Sequence, residues 1–305
     1  MPTKLQSVSL ECTLFFEKPV RIDNYPAFVI RSILGYHLRR MHCVSHGTAC
    51  HECAFKRTCA YIFLFESIID KNTSVLPGRD RASQPFRIIC NAEPNTTVEK
   101  LSLEIWLYGK AVEYIPHIIF ALKEAGNNGL FSERVHYKLE IKNNKGNTIL
   151  DNNRIKEEFI EKDILEYSFD NRPVENCFKI QCITPVRFKV NNKYTSSFSA
   201  VDFYLASFRR INTLFSLYSE DLEKRFIPVK PLEEVTVKEP SLRWKEYKRY
   251  SRRQKTTMRL GGIVGSFTIH GRAPQSFWQT LTLAEKLGVG KSTSFGFGHI
   301  VITKE

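Results

Sequence analysis

Apolar and polar positions alternate in four stretches of the first 150 residues: LQSVSLECTLFF at 5–16, PFRIICN at 85–91, VEKLSLEIWLYG at 98–109 and RVHYKLEIK at 134–142. A period of two sends successive side chains to opposite faces, so each stretch predicts a half-buried strand. Between them the period changes. From Pro26 to His42 the residues Ile30, Leu34, Leu38 and Met41 recur every three or four positions, and Tyr114 to Ala125 reads the same way until Gly126. Both predict helices, which gives the order strand, helix, strand, strand, helix, strand. After a charged, irregular stretch at 151–175 the order returns. It has a strand at 177–190, a helix at 198–218, strands near 235–250 and 260–270, a helix at 275–287 and a strand at 297–303.

Two βαββαβ units predict an α+β chain of tandem ferredoxin-like domains, each an antiparallel sheet with helices on one face. The expected boundaries are 1–150 for the first domain, 151–175 for a linker and 176–305 for the second. An insertion at 43–84 interrupts the first unit. The exits of the two second helices also rhyme, Ala125-Gly126-Asn127-Asn128-Gly129 against Leu287-Gly288-Val289-Gly290.

With 42% hydrophobic and 25% charged residues among 305, the composition is that of a globular chain with room for two cores. Mean hydropathy is −0.28, and no apolar run approaches the roughly 20 residues of a spanning helix, which argues against a membrane protein. The start, MPTKLQSVSLECTLFFE, has no secretory pattern, which makes the reducing cytoplasm the expected compartment. Charge changes the picture more. Residues 1–171 hold 22 Lys/Arg against 21 Asp/Glu, whereas 172–305 hold 23 against 11. The positive field therefore belongs to the second half and points to a polyanion, nucleic acid first and an anionic membrane surface second. Residues 238–259 alone supply nine Lys/Arg against two Asp/Glu, interleaved with Trp244, Tyr247 and Tyr250. Basic groups hold phosphate and aromatic faces stack unpaired bases, the combination single-stranded RNA uses.

Four of the eight cysteines, Cys12, Cys90, Cys177 and Cys182, sit in strand-like apolar runs and read as buried small hydrophobes. The others form Cys43-x6-Cys50-x2-Cys53-x5-Cys59 in the insertion. Thiolates at such spacing in a reducing compartment predict a metal site, zinc or an iron–sulfur cluster, with His42, His46 and His51 near enough to replace one Cys. Four protein ligands close the shell. The metal is therefore expected to be structural.

The segment Gly288-Val289-Gly290-Lys291-Ser292-Thr293-Ser294-Phe295-Gly296-Phe297-Gly298 carries the most specific signal. Its GVGKST imitates a nucleotide-binding P-loop, but that motif needs Gly where Glu285 stands and a strand where a helix precedes it. The segment instead resembles the glycine-rich loop of the CRISPR-associated repeat-processing endoribonucleases of the RAMP superfamily: Gly-hydrophobic-Gly, five residues with a base, Gly-hydrophobic-Gly. Arg249-Tyr250-Ser251-Arg252-Arg253-Gln254 with Met258-Arg259-Leu260-Gly261-Gly262, Phe28 to Arg40, and Tyr61-Ile62-Phe63-Leu64-Phe65-Glu66 resemble one branch of the same family.

The resemblance implies metal-independent cleavage of CRISPR precursor RNA within its repeats, by attack of a 2′-hydroxyl on the adjacent phosphate. Such a reaction needs a base, an acid and positive charge at the phosphorane. In the family a His at or after the first helix often serves. His37 and His42 are the candidates here, followed by His46, Tyr36 and Tyr250. His37 shares the apolar face with Ile30 and Leu34, and His42 shares one with Arg39 and Gly35. RNA contacts are expected from Gly288, Gly290, Lys291, Ser292, Gly296 and Gly298 and from Arg249, Tyr250, Arg252, Arg253 and Lys255. The partners implied are repeat RNA and a CRISPR effector complex. Two rivals remain, a non-catalytic RAMP-fold subunit of such a complex and an unrelated metal-binding protein whose basic half touches another acidic partner.

Overall fold

The alternating stretches are strands and the three-to-four-spaced stretches are helices in the computed structural model, which describes residues 2–151, 153–220, 226–229, 235–251 and 256–305. The chain divides into two compact units, Gln6–Ile164, and Leu165–Glu305 with the first five residues.

The amino-terminal unit is built from β1 (Thr3–Ile22), α1 (Pro26–His42), β2 (Phe86–Ile89), β3 (Thr96–Tyr108), α2 (Ile115–Asn128), β4 (Tyr137–Lys142), β5 (Thr148–Asp151) and β6 (Arg154–Ile155). Its sheet runs β2-β3-β1-β4-β5-β6, with antiparallel neighbours throughout. The period-two pattern of β1 is realised as Val8, Leu10, Cys12 and Leu14, each at most 1% exposed, and they join Ile30, Leu34, Leu38, Ile118 and Leu122 in the core. Pro26 at the start of α1 has no N–H to leave unpaired, and Arg39, Arg40 and His42 in its last turn complement the negative end of the helix dipole. After α1 the insertion runs through turns, a π-helical turn at Ile62–Glu66 and a bridge between Ile68 and Arg81. Glu66 is 5% exposed there and is answered by Arg81 at 2.6 Å.

The carboxy-terminal unit holds β7 (Asp163–Tyr167), β8 (Pro173–Val186), β9 (Lys189–Val190), β10 (Lys193–Tyr194), α3 (Ala200–Tyr218), β11 (Thr236–Ser251), β12 (Thr256–Pro274), α4 (Gln275–Leu287) and β13 (Ile300–Lys304). Its sheet order, β11-β12-β8-β13, repeats the β2-β3-β1-β4 order of the first unit, which makes the fold a tandem ferredoxin-like one. A capping box between Ser199 and Asp202 starts α3. Phe203, Tyr204, Phe215, Phe267, Phe277 and Trp278, each under 2% exposed, fill the core.

The stretch at 151–175, read from sequence as irregular, contains β6, a short turn of 3-10 helix at Glu157–Phe159 and β7. Leu165 and Tyr167 alternate there and are 4% and 1% exposed, but two buried positions are too short a pattern to stand out among charges. Among the described residues no helix is long and apolar enough to cross a membrane.

Candidate functional site

The glycine segment leaves α4 and returns against β8. Gly290 (φ +74°) bridges to Arg187 in parallel, and the Lys291 N–H donates to the Arg187 carbonyl at 2.7 Å. The Val289 N–H donates to the Gly298 carbonyl and the Gly298 N–H to the Pro185 carbonyl, both at 2.9 Å. The N–H groups of Phe295 and Phe297 donate to the Ser292 carbonyl at 2.9 and 3.2 Å, closing a turn of 3-10 helix at Thr293–Phe295. A Cβ on Gly290 would stand 2.4 Å from the Arg187 oxygen, and one on Gly298 2.3 Å from the Val289 oxygen. The glycines thus serve the loop's own packing: the amides of Val289, Phe295, Gly296 and Phe297 donate within the loop, and those of Lys291 and Gly298 donate to Arg187 and Pro185. The exposed Lys291 adds side-chain charge.

Neighbouring elements add to that charge. Arg249 of β11 lays its guanidinium 4.4 Å over the Phe295 ring of the loop, and its Nε is buried without a hydrogen-bond partner. Burial pulls the pKa of this guanidinium down. Tyr247 of the same strand packs on Phe297 at 6.2 Å. Trp244 is 41% exposed, a surface aromatic and not a core one. The backbone of Tyr250 pairs with Thr257, and Arg252, Arg253 and Lys255 lie outside the described residues.

The candidates on α1 point in different directions: at about 100° per residue, 36 and 37 lie about 100° apart around the helix and 37 and 42 about 140° apart. Tyr36 is 56% exposed, whereas His37 is 6% exposed. Burial lowers the His37 pKa below 6.5, Glu124 raises it and Arg40 lowers it further. His42, the last residue of α1, is half-buried with an Nε2 that has no partner, and its ring lies 4.8 Å from that of His117. The His117 Nδ1 is also buried without a partner, and Tyr114 packs on that ring at 5.6 Å. His117 escapes sequence reasoning: it sits in the first turn of α2, inside a pattern that reads as packing, and only the meeting of two helices brings it to His42. His46 is exposed, away from any of these contacts.

The four cysteines Cys43, Cys50, Cys53 and Cys59 are unpaired and half-buried in turns. The Arg39 guanidinium hydrogen-bonds Cys43 and feels Cys50. Burial pushes the Cys50 thiol up, and Cys43 and Cys59 are close enough to add to that. Among the described residues no three His, Cys, Asp or Glu side chains stand close enough to hold one ion, so the expected metal centre is not assembled as the turns are placed.

Residues 5–161, about half of the chain, match a family model described as an N-terminal domain, and residues 180–300 match that of the CRISPR-associated endoribonuclease Cas6. Among curated proteins none matches the sequence. Solved structures are similar in fold. A Cas6 product complex is 17% identical with a TM-score of 0.53 over 97% of this chain and 99% of that one. Cas6 of Thermus thermophilus is 14% identical with a TM-score of 0.51 over 99% of each chain. A partial Cas6-RT-Cas1–Cas2 complex is 12% identical with a TM-score of 0.52, and this chain, matched over 100% of its length, spans 46% of that one. The glycine loop lies within residues 180–300, so it is the carboxy-terminal part of the chain that matches the CRISPR-associated endoribonuclease Cas6, while the likeness to the solved structures is one of fold.

Proposed function

We propose that this protein cuts CRISPR precursor RNA within each repeat, without a catalytic metal, by attack of the 2′-hydroxyl on the adjacent phosphate. The observation that carries the reading is the glycine loop: its backbone is fixed on β8, Lys291 stands exposed on it, and Arg249 is stacked over its Phe295. A fixed loop presents its charge with little to reorganise when phosphate arrives, which is how preorganised cations stabilise a developing phosphorane.

Proton transfer falls to His42 in preference to His37. His37 is packed at 6% exposure, while His42 is half-buried at the end of α1 and its Nε2 has no hydrogen-bond partner. Removing a general acid or base costs about 10²- to 10⁴-fold in rate. His42→Ala should therefore slow cleavage by that much while leaving repeat RNA bound. The test of the whole reading is purified protein with repeat RNA in EDTA. The expected products carry a 5′-hydroxyl and a cyclic or 3′ phosphate, and a 2′-deoxy at the cleavage position should block the reaction. Tight binding without cleavage would favour the non-catalytic subunit instead.

The cysteines Cys43, Cys50, Cys53 and Cys59 fit a structural zinc or iron–sulfur centre by donor type and by their spacing along one insertion. When bound, the metal would pin the insertion to the end of α1, and no step of the cleavage passes through it. A CRISPR effector complex is the assembly in which the cut RNA would be used.

A further inference from the structure

Away from the glycine loop and the first helix, the amino-terminal unit buries a guanidinium with two nitrogens that have no hydrogen-bond partner. Arg87 of β2 is 3% exposed, and its Nε and Nη1 are both buried without a hydrogen-bond partner. Its place in the sheet is well defined. Arg87 stands opposite Trp106 of β3, Trp106 stands opposite Ser9 of β1, and β2 is an edge strand with a neighbour on one side only. Strand alternation puts this row on the face away from Phe86, Ile88, Leu107 and Leu10, which form the core. The guanidinium carbon lies 5.3 Å from the centre of the Trp106 ring.

One acid is in electrostatic range, Glu104, two positions along β3. Burial pushes its carboxyl up, and the pull of Arg87 in the other direction is the smaller effect. Among the described residues no carboxylate forms an ion pair with Arg87. A desolvated charge with unmet donors is costly to keep, and neutral apolar groups usually replace one without loss of stability. A ligand that supplies the missing acceptors gives a reason to keep it. The planar fork of a guanidinium matches phosphate oxygens two at a time, and an indole face beside it suits a base.

We propose that Arg87 takes a backbone phosphate of the bound RNA, with Trp106 as the surface for the adjoining base. This contact lies on the amino-terminal unit and is additional to Lys291 and Arg249 of the other. The inference rests on the RNA-processing reading above.

The test uses repeat RNA made uncleavable by a 2′-deoxy at the cleavage position, titrated against wild type, Arg87→Met and Arg87→Lys at several salt concentrations. Thermal unfolding of each protein is followed without RNA. Arg87→Met should melt at or above the wild-type temperature, because an unpaired buried charge is gone. It should bind RNA about ten- to a hundredfold more weakly, as expected for lost hydrogen bonds to a charged group, with a salt slope reduced by about 0.7 for one phosphate of a single strand. Arg87→Lys keeps the charge without the fork and should fall between the two. Wild-type affinity and slope in a folded Arg87→Met overturn the proposal. It is equally overturned if inorganic phosphate protects wild type but not Arg87→Met from heat while RNA affinity is equal in both, since the site would then take a free anion. Should Arg87→Met fail to fold, Arg87→Lys decides: a loss of about tenfold upholds the contact and an unchanged affinity removes it. Failure of the underlying reading looks different, for wild type itself would not bind repeat RNA.

Discussion

The glycine loop at 288–298 and the cysteine segment at 43–59 each follow a helix and carry the most motif-like residues of their units, yet they are held in opposite ways. The loop is tied to Pro185 of β8 and to Arg187 just beyond it, and closes on itself between Val289 and Gly298. Bonds in the cysteine segment stay within local turns, Ser45 to Thr48, Ala49 to Glu52 and Cys53 to Lys56. One conformation is therefore specified by packing against distant backbone, while the other rests on local turns alone. The same kind of substitution should separate them.

Gly290→Ala should give the largest effect, because the new methyl meets the Arg187 oxygen at 2.4 Å and the backbone is held at φ +74°. Strain and overpacking together predict a loss of about 3–5 kcal/mol, read as a lower denaturation midpoint, with RNA binding lost alongside. Gly47→Ala in the cysteine segment meets nothing within 4 Å and strains only φ, at +94°. Its cost should stay at about 1 kcal/mol. Equal losses at the two positions would remove the distinction between the regions.

Metal is the second way to test it. If zinc or an iron–sulfur centre organises Cys43, Cys50, Cys53 and Cys59, saturation at a hundred times Kd adds about 2.7 kcal/mol. Chelation or Cys50→Ser should lower the melting temperature and increase hydrogen exchange in the insertion, leaving the glycine loop protected. Elemental analysis and the visible spectrum distinguish zinc from iron. Anaerobically purified protein with neither metal would leave the segment without its organiser.

The contrast also explains what the sequence made legible. Alternation and helical periods located the main strands of the two larger sheets and the four α-helices among the described residues, since burial of one face is a property of each element alone. GVG and GFG marked the loop because only glycine accommodates those oxygens and dihedrals. What the sequence did not show is which loop amides bond within the protein, for partners such as Arg187 lie a hundred residues away. His117 and Arg87 were invisible for the same reason: a histidine inside an apolar helix and an arginine inside PFRIICN acquire meaning only when another element leaves their nitrogens unanswered.

A smaller effect is expected at the charge the loop displays. Lys291→Ala removes an exposed cation from a fixed backbone, so binding should weaken by about tenfold and the salt slope should flatten by up to about 0.7 on a single strand. Lys56→Ala, an exposed cation in the cysteine segment, serves as the control and should change neither. Matching slopes for the two variants would mean that the loop does not touch phosphate.

The smallest effect separates the regions by pH. Backbone bonds like those of the glycine loop do not titrate, but α1, which leads into the cysteines, contains the buried His37. Its pKa is lowered, first by burial and then by Arg40, against an opposing pull from Glu124. The unfolded chain, with His near 6.5, therefore binds more protons than the folded one as pH falls through that value. Stability from this group is complete above 6.5 and is lost as pH drops toward the lower folded pKa. Thermal melts at pH 7.5 and 5.5 should show wild type losing more on acidification than His37→Gln, with hydrogen exchange rising in α1 before it rises in the glycine loop. An identical pH dependence in the two proteins would show that His37 carries no proton linkage, and exchange that rises first in the glycine loop would reverse the assignment of the two regions.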